Sequence, residues 1–150
     1  MGNTSYFKTF SEGDAVIYND EKYGEIYGVI KTVSTNSDGQ IEICIDVSKL
    51  SLILAFKDYP PTVTVVSSDD APGDLLYYPA KKRYYVGEPV TAVAKEFGGT
   101  KAYCIVSYIY REGMLTEYTV YCIDKKSEYY GMIATVGKDR LSAVPYYEYG

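Results

Sequence analysis

Histidine and tryptophan are both absent from this 150-residue chain. Without histidine the chain lacks the commonest general base, the commonest zinc ligand and every nucleophile that depends on a histidine partner. Its three cysteines, Cys44, Cys104 and Cys122, have neither the spacing of a metal site nor that of a disulfide framework, so we expect reduced thiols used for packing. No Asp or Glu pair stands out among the other acids. These absences predict a protein that is not an enzyme and needs no metal or cofactor.

Long apolar runs and helical periodicity are also missing. No run approaches the roughly 18 residues that a membrane span requires, and the first residues lack the apolar core of a secretory signal. We therefore expect a soluble, cytoplasmic protein without membrane contact. No stretch repeats its apolar residues with the 3.6-residue period of an amphipathic helix, so the sequence predicts an all-β fold.

The second half of the chain instead contains strand patterns separated by turns. Gly98 and Gly99 suit a tight turn, and residues 116–123 are rich in β-branched and aromatic side chains. Strands are predicted at residues 86–95, 101–111, 116–123, 130–136 and 142–144, with a 3₁₀ turn before the last. Both faces of 101–111 are apolar enough to be covered. The pattern predicts a five-stranded unit over residues 84–145.

The first half predicts a similar unit over residues 10–68. Its clearest signal is the alternation at 41–47, where Ile41, Ile43, Ile45 and Val47 share one face. Strands are predicted at residues 13–18, 24–33, 41–47, 50–56 and 62–67. The segment 50–56 is continuously apolar except for Ser51, which predicts a strand covered on both sides. Residues 69–83 combine a linker, rich in turn formers and acids, with an extended apolar strap between the two units.

The order of these elements resembles the SH3-like barrel group that includes Tudor, Agenet and KOW domains. The sequence Val-Gly-Glu-Pro-Val at 86–90 is similar to the hydrophobic-Gly-acidic-x-Val pattern with which those domains often begin their first strand, and Gly13-Asp14-Ala15-Val16 echoes it. The resemblance covers 84–145 and, more weakly, 10–68. It implies two small five-stranded barrels in tandem; a single larger β-sandwich is the alternative.

Charge is distributed unevenly along the chain. Residues 1–75 contain five Lys and Arg against twelve Asp and Glu, a net charge of −7, whereas residues 76–150 contain ten against eight, a net charge of +2. The acidic first half would repel a nucleic-acid backbone and attract a basic protein surface. We expect Asp20, Glu21 and Glu25 to steer such a partner, mainly by raising the association rate. The alternative is that these acids serve solubility alone.

Tyrosine is unusually abundant, with 19 copies. Adjacent tyrosines on a strand face opposite sides, so each pair places at least one phenol outside the core, where it suits a protein interface. We predict a partner-binding site at Phe97, Tyr103, Tyr129 and Tyr130. In Tudor-type readers, aromatic residues in the corresponding loops form a cage for a methylated ammonium. The resemblance therefore implies a second role for these four residues, with Asp124 or Glu128 as an acidic partner.

Three classes of function remain open. We favour a non-enzymatic protein-interaction module, an inhibitor or adaptor of a larger host factor, whose composition resembles that of small acidic phage accessory proteins. The alternatives are a Tudor-like reader of methylated peptides and a structural subunit of an assembly. Homo-oligomerisation is left open.

Overall fold

The computed structural model describes residues 10–67, 75–77 and 83–144. Within these residues the chain forms ten β-strands in two antiparallel sheets of five, with short 3₁₀ helices and no α-helix. The predicted all-β class is confirmed. None of the helices in these ranges is long and apolar enough to cross a membrane.

The chain divides into two compact units, each containing one sheet. The first unit consists of Met1–Ser48 and Asp58–Lys82, and the second of Lys49–Lys57 and Arg83–Gly150. The short segment Lys49–Lys57 therefore groups with the second sheet, although it lies among first-unit residues in the sequence.

The first sheet has the strand order β4-β3-β2-β1-β5. Its strands are β1 (Ala15–Asp20), β2 (Gly24–Thr35), β3 (Ile41–Asp46), β4 (Thr62–Ser67) and β5 (Leu75–Tyr77). Leu75–Tyr77, predicted as part of a strap, pairs with β1 and is the fifth strand of this sheet. The predicted linker at 69–74, and the rest of the strap up to residue 82, lie outside the described residues.

The second sheet has the strand order β10-β6-β7-β8-β9. Its strands are β6 (Pro89–Val93), β7 (Lys101–Glu112), β8 (Leu115–Cys122), β9 (Ile133–Val136) and β10 (Leu141–Ala143). In both sheets, then, the first four strands form a meander and the fifth pairs with the first.

The prediction of a strand at residues 50–56 is wrong. This segment forms two 3₁₀ helices, Ser48–Leu52 and Leu54–Phe56. Leu50, Ile53 and Phe56 are buried, whereas Leu54 is 81% exposed. In a 3₁₀ helix, side chains three residues apart lie on one face, so the buried positions mark a helical stripe and not a strand covered on both sides.

In the second unit, the first strand begins with a hydrogen-bonded glycine turn. Gly87 has a φ of +89°, a backbone conformation that residues with a Cβ rarely adopt. Its N–H donates to the carbonyl of Val106 at 2.8 Å. The buried carboxylate of Glu88 accepts a hydrogen bond of 3.0 Å from the N–H of Tyr85. The glycine and the acid of the 86–90 motif thus both stabilise this turn.

The first unit builds the same turn from different residues. Gly13 has a φ of +88°, and its N–H donates to the carbonyl of Ile30 at 2.8 Å. The Asp14 carboxylate accepts a hydrogen bond of 2.9 Å from the N–H of Ser11, as Glu88 does from the residue three positions before it.

The second strand of each sheet carries one extra residue at the same place. The pairing of β2 with β3 shifts by one residue between Ile30 and Thr32, and that of β7 with β8 between Val106 and Tyr108. A single extra residue is a β-bulge, and it moves every side chain beyond it to the other face of the strand.

Strand order, opening turn and bulge together give most strand positions of one unit an equivalent in the other. Thr32 and Tyr108, for example, are each the first paired residue after the bulge. The two units therefore share one topology and one register, although their sequences differ at most equivalent positions.

Candidate functional site

Phe97 and Tyr129, two of the predicted binding residues, are brought together by packing. Phe97 ends a 3₁₀ turn and is fully buried in the core of the second unit. The Tyr129 ring packs on that core, with its centroid 6.2 Å from that of Phe97. Gly98, at a φ of +67°, permits this contact, because a Cβ there would overlap the Tyr129 hydroxyl. Phe97 therefore has no ring face available to a partner or to a methylated ammonium.

Tyr103 and Tyr130 do not join this pair. The neighbours of Tyr103 on β7, Ala102 and Cys104, point into the core, so Tyr103 lies on the opposite face, where it is also buried. Tyr130 is exposed. The structure thus does not assemble the four residues into one surface, and Phe97 and Tyr103 are both buried.

The bulge at Ser107 decides which face of β7 meets solvent. Before it, both faces are buried, as the sequence predicted: Val106 lies in the core and Ile105, on the other face, is also fully buried. After it, Ile109 packs against the core, and Tyr108 and Tyr110 turn to the opposite face. Strict alternation along the strand would put Tyr108 and Tyr110 on the same face as Val106, and the prediction that both faces are covered is wrong beyond the bulge.

The far half of this opposite face forms an exposed surface on three strands, which we call the outer face. Register pairing places Tyr108 beside Thr119 and Thr135, Tyr110 beside Glu117, Glu112 beside Leu115, and Tyr121 beside Ile133. Tyr108 is 59% exposed, Ile133 57%, Leu115 52% and Tyr110 40%. Large apolar side chains with this exposure on adjoining strands are typical of an interaction surface.

The equivalent positions of the first sheet are polar. The register equivalents of Tyr108, Tyr110, Tyr121 and Ile133 are Thr32, Ser34, Asp46 and Thr62. The shared fold therefore does not require large apolar residues at these places. Large apolar residues at these positions are therefore a feature of the second sheet.

The outer face also carries negative charge. The Tyr110 hydroxyl donates a 2.8 Å hydrogen bond to the Glu112 carboxylate. That hydrogen bond, partial desolvation and the nearby charge of Glu117 raise the pKa of Tyr110 above its ordinary value. The residues of the outer face defined above include no lysine or arginine. The surface thus combines phenol rings with two carboxylates, a combination that suits a cationic side chain.

The acidic residues predicted to steer a partner lie at the β1–β2 hairpin. Glu21 is exposed and Glu25 is half-buried. Asp20 has a structural role: its carboxylate accepts hydrogen bonds from the Tyr59 hydroxyl at 2.5 Å and from the N–H groups of Lys22 and Tyr23. Partial burial favours a higher pKa for Asp20, but these hydrogen bonds outweigh it and lower the pKa below its ordinary value.

Tyr59→Phe should destabilise the first unit by at most about 1 kcal/mol at pH 7, because the hydrogen bond is charge-assisted but Asp20 is largely solvated. A depressed carboxylate pKa stabilises the fold above the unfolded pKa of about 3.9, and this contribution disappears as pH falls through the folded value. The difference in unfolding free energy between parent and variant should therefore be smaller at pH 2.5 than at pH 7. Urea unfolding at both pH values measures it.

Tyr130→Phe is the matched control, since Tyr130 is exposed and should show no difference at either pH. A Tyr59→Phe cost that is the same at both pH values would show that the hydroxyl does not act through the Asp20 carboxylate.

Sequence reasoning missed the outer face because Tyr108 and Tyr110 had been assigned to a covered side. One signal was present in the sequence: Ser107 is a polar residue that interrupts the apolar run between Val106 and Ile109. Tyr59, distant from Asp20 in sequence, carried no such signal.

Other kinds of site find little support. No group of three or more metal-ligating side chains occurs among the residues that the structure describes. A groove of about 510 Å³ in the second unit is lined by Lys95, Glu96, Asp139 and Arg140. Its basic and acidic residues balance, so it shows no preference for a charged ligand.

Neither a protein-family model nor a curated protein matches this chain.

Proposed function

We propose that this chain is a non-enzymatic protein-interaction module, an adaptor or inhibitor, that binds a basic protein partner through the outer face of its second sheet. The observation that carries the proposal is the contrast between the two sheets: Tyr108, Tyr110 and Ile133 occupy positions that are threonine or serine in the first sheet.

The residue types of the outer face support a protein ligand. Tyrosine is enriched at interface hot spots, because its rigid ring offers a large contact area and loses little rotamer freedom on binding. Leu115 and Ile133 add aliphatic surface on the neighbouring strands. An extended face of this kind suits the broad contact area of a protein better than a small molecule, which prefers a concave pocket.

The charge of the molecule supports a basic partner. Glu112 and Glu117 lie beside Tyr110, so an arginine or lysine of the partner could contact rings and carboxylates together. Glu21 and Glu25 on the first unit would add long-range attraction, which accelerates encounter more than it raises the final affinity.

We also propose that both units belong to the SH3-like barrel group. The pairing of the fifth strand with the first in each sheet supports this proposal. A Tudor-type methyl-lysine cage has less support, because Phe97 is fully buried and Tyr103 lies on the other face of β7.

The test replaces residues of the outer face by the polar residues at the equivalent positions of the first sheet. The triple variant Tyr108→Thr, Tyr110→Ser and Ile133→Thr should weaken binding at least about 30-fold to the protein that the parent captures from its source cell, corresponding to roughly 2 kcal/mol. Affinity is measured with the purified partner by calorimetry. The melting temperature should change little, since all three side chains are exposed.

Tyr130→Ser is the matched control, an exposed tyrosine outside the outer face, and should bind like the parent. A folded triple variant with undiminished affinity would show that the outer face is not the binding site. Light scattering provides a separate check: a dimeric parent and a monomeric triple variant would identify the face as a contact between copies, which would favour the structural-subunit alternative.

A further inference from the structure

Two of the three cysteines lie directly opposite each other in the core of the second unit. Cys104 on β7 and Cys122 on β8 are register partners, and both are fully buried. The Cys122 side chain is near enough to contribute to the raised pKa of the Cys104 thiol. The spacing of the cysteines in the sequence had indicated separate thiols, because it does not reveal which residues face each other across a hairpin.

The backbone around Cys122 shows which kind of cross-strand pair this is. Its N–H donates to the carbonyl of Met132 at 2.9 Å, and its carbonyl accepts from the N–H of Gly131 at 3.0 Å. Both groups therefore point away from β7, and Cys104 and Cys122 form a non-hydrogen-bonded pair. Such pairs have the closer spacing, with about 4.5 Å between Cα atoms and side chains near each other. That spacing lies within the range of disulfides.

The first unit shows that the fold does not need two thiols at this place. The register equivalents of Cys104 and Cys122 are Gly28 and Val47. A Cβ on Gly28 would overlap Ile45 and press on Val47. In the first unit, a glycine opposite Val47 therefore fills the space that the two cysteines fill in the second unit. Paired cysteines are therefore a feature of the second unit alone.

We propose that Cys104 and Cys122 form a reversible intramolecular disulfide that joins β7 to β8. The oxidant is a small-molecule disulfide such as oxidised glutathione. One cysteine thiolate attacks it, forms a mixed disulfide and releases one glutathione thiol. The second cysteine then displaces the other glutathione. In total the chain loses two protons and two electrons, and the oxidant takes them up and is reduced to two glutathione thiols.

Burial controls when this exchange takes place. Desolvation, with a contribution from the neighbouring Cys122, raises the pKa of the Cys104 thiol, so the folded chain holds little of the reactive thiolate. Oxidation should therefore proceed during folding or after local opening of the β7–β8 hairpin. Once formed, the disulfide is shielded by the same core. This inference does not depend on the proposed function.

The test uses the full chain with Cys44→Ser, which removes the half-buried third thiol and leaves the pair. The denatured protein is refolded in a buffer of reduced and oxidised glutathione. Free thiols are then counted under denaturing conditions, and the intact mass is measured. Both thiols should disappear together, with a mass loss of two hydrogens in a monomeric chain. The melting temperature should rise by roughly 5–15 °C, and a dithiol reductant should reverse the rise.

The additional change Cys104→Ala is the control, and it should leave one thiol that is free or carries glutathione. Two free thiols after refolding in excess oxidised glutathione would overturn the proposal. Glutathione attached to both cysteines, or covalent dimers in place of monomers, would overturn it equally. The parent measurement needs no core substitution, so poor folding of the control variant does not affect the outcome.

Discussion

Phe97→Ala should lower the free energy of unfolding by about 3–5 kcal/mol. Phe97 is fully buried within the core of the second unit, and removing its ring both loses the transfer free energy of the aromatic atoms and leaves a cavity. Tyr129 would lose its ring contact as well. Urea unfolding, monitored by circular dichroism and tyrosine fluorescence, measures the change.

Tyr130→Ala is the comparison that gives this result its meaning. Both residues were predicted from the sequence to bind a partner, but Tyr130 is exposed, and its replacement should change stability by less than about 0.5 kcal/mol. Similar small changes for both variants would place Phe97 at the surface and restore it as a binding residue.

Ile43→Ala should cost about 2–5 kcal/mol in the first unit. Ile43 lies on β3, pairs with Val33 and Val65 on its two neighbours, and is 1% exposed. Truncation removes three carbon atoms from a site that three strands hold in place, so the cavity can collapse only partly. Thermal and urea unfolding of the variant measure the loss.

Glu42→Ala, one residue earlier, is the control for position along the strand. Its carboxylate faces the other side and accepts a 3.1 Å hydrogen bond from the Asn36 side chain, so the expected cost is below about 1 kcal/mol. Equal losses for the two variants would mean that β3 is buried equally on both faces.

The alternation at 41–47 shows how much of the fold can be predicted from sequence. Ile43, Ile45 and Val47 are buried as predicted. A strand with one buried face needs an apolar residue at every second position, and this pattern is visible in the sequence of the strand itself. The same reasoning failed at 50–56, where Leu50, Ile53 and Phe56 are three residues apart in an apolar run that also suits a strand.

The candidate site was harder to predict for a related reason. Both faces of 101–111 were predicted to be covered, but the face that Tyr108 and Tyr110 occupy depends on the bulge at Ser107, which arises from pairing with β8. Phe97 was identified as part of a turn, but its burial depends on Tyr129 and on strands distant in sequence. The local sequence pattern predicts which face of a strand each side chain occupies only as long as no bulge shifts the pairing register.

The extra residue in β7 means that the surface of the second sheet depends on chain length as well as on residue type. Deleting the single codon for Ser107 would turn the side chains of Tyr108 and Tyr110 toward the core and that of Ile109 toward solvent. The amino-acid type of every remaining residue would stay the same. An insertion at the same place in an ancestral strand would have the opposite effect. A surface of this kind can therefore arise or disappear in one genetic event, and lineages that differ by one codon here would present different chemistry on the same sheet.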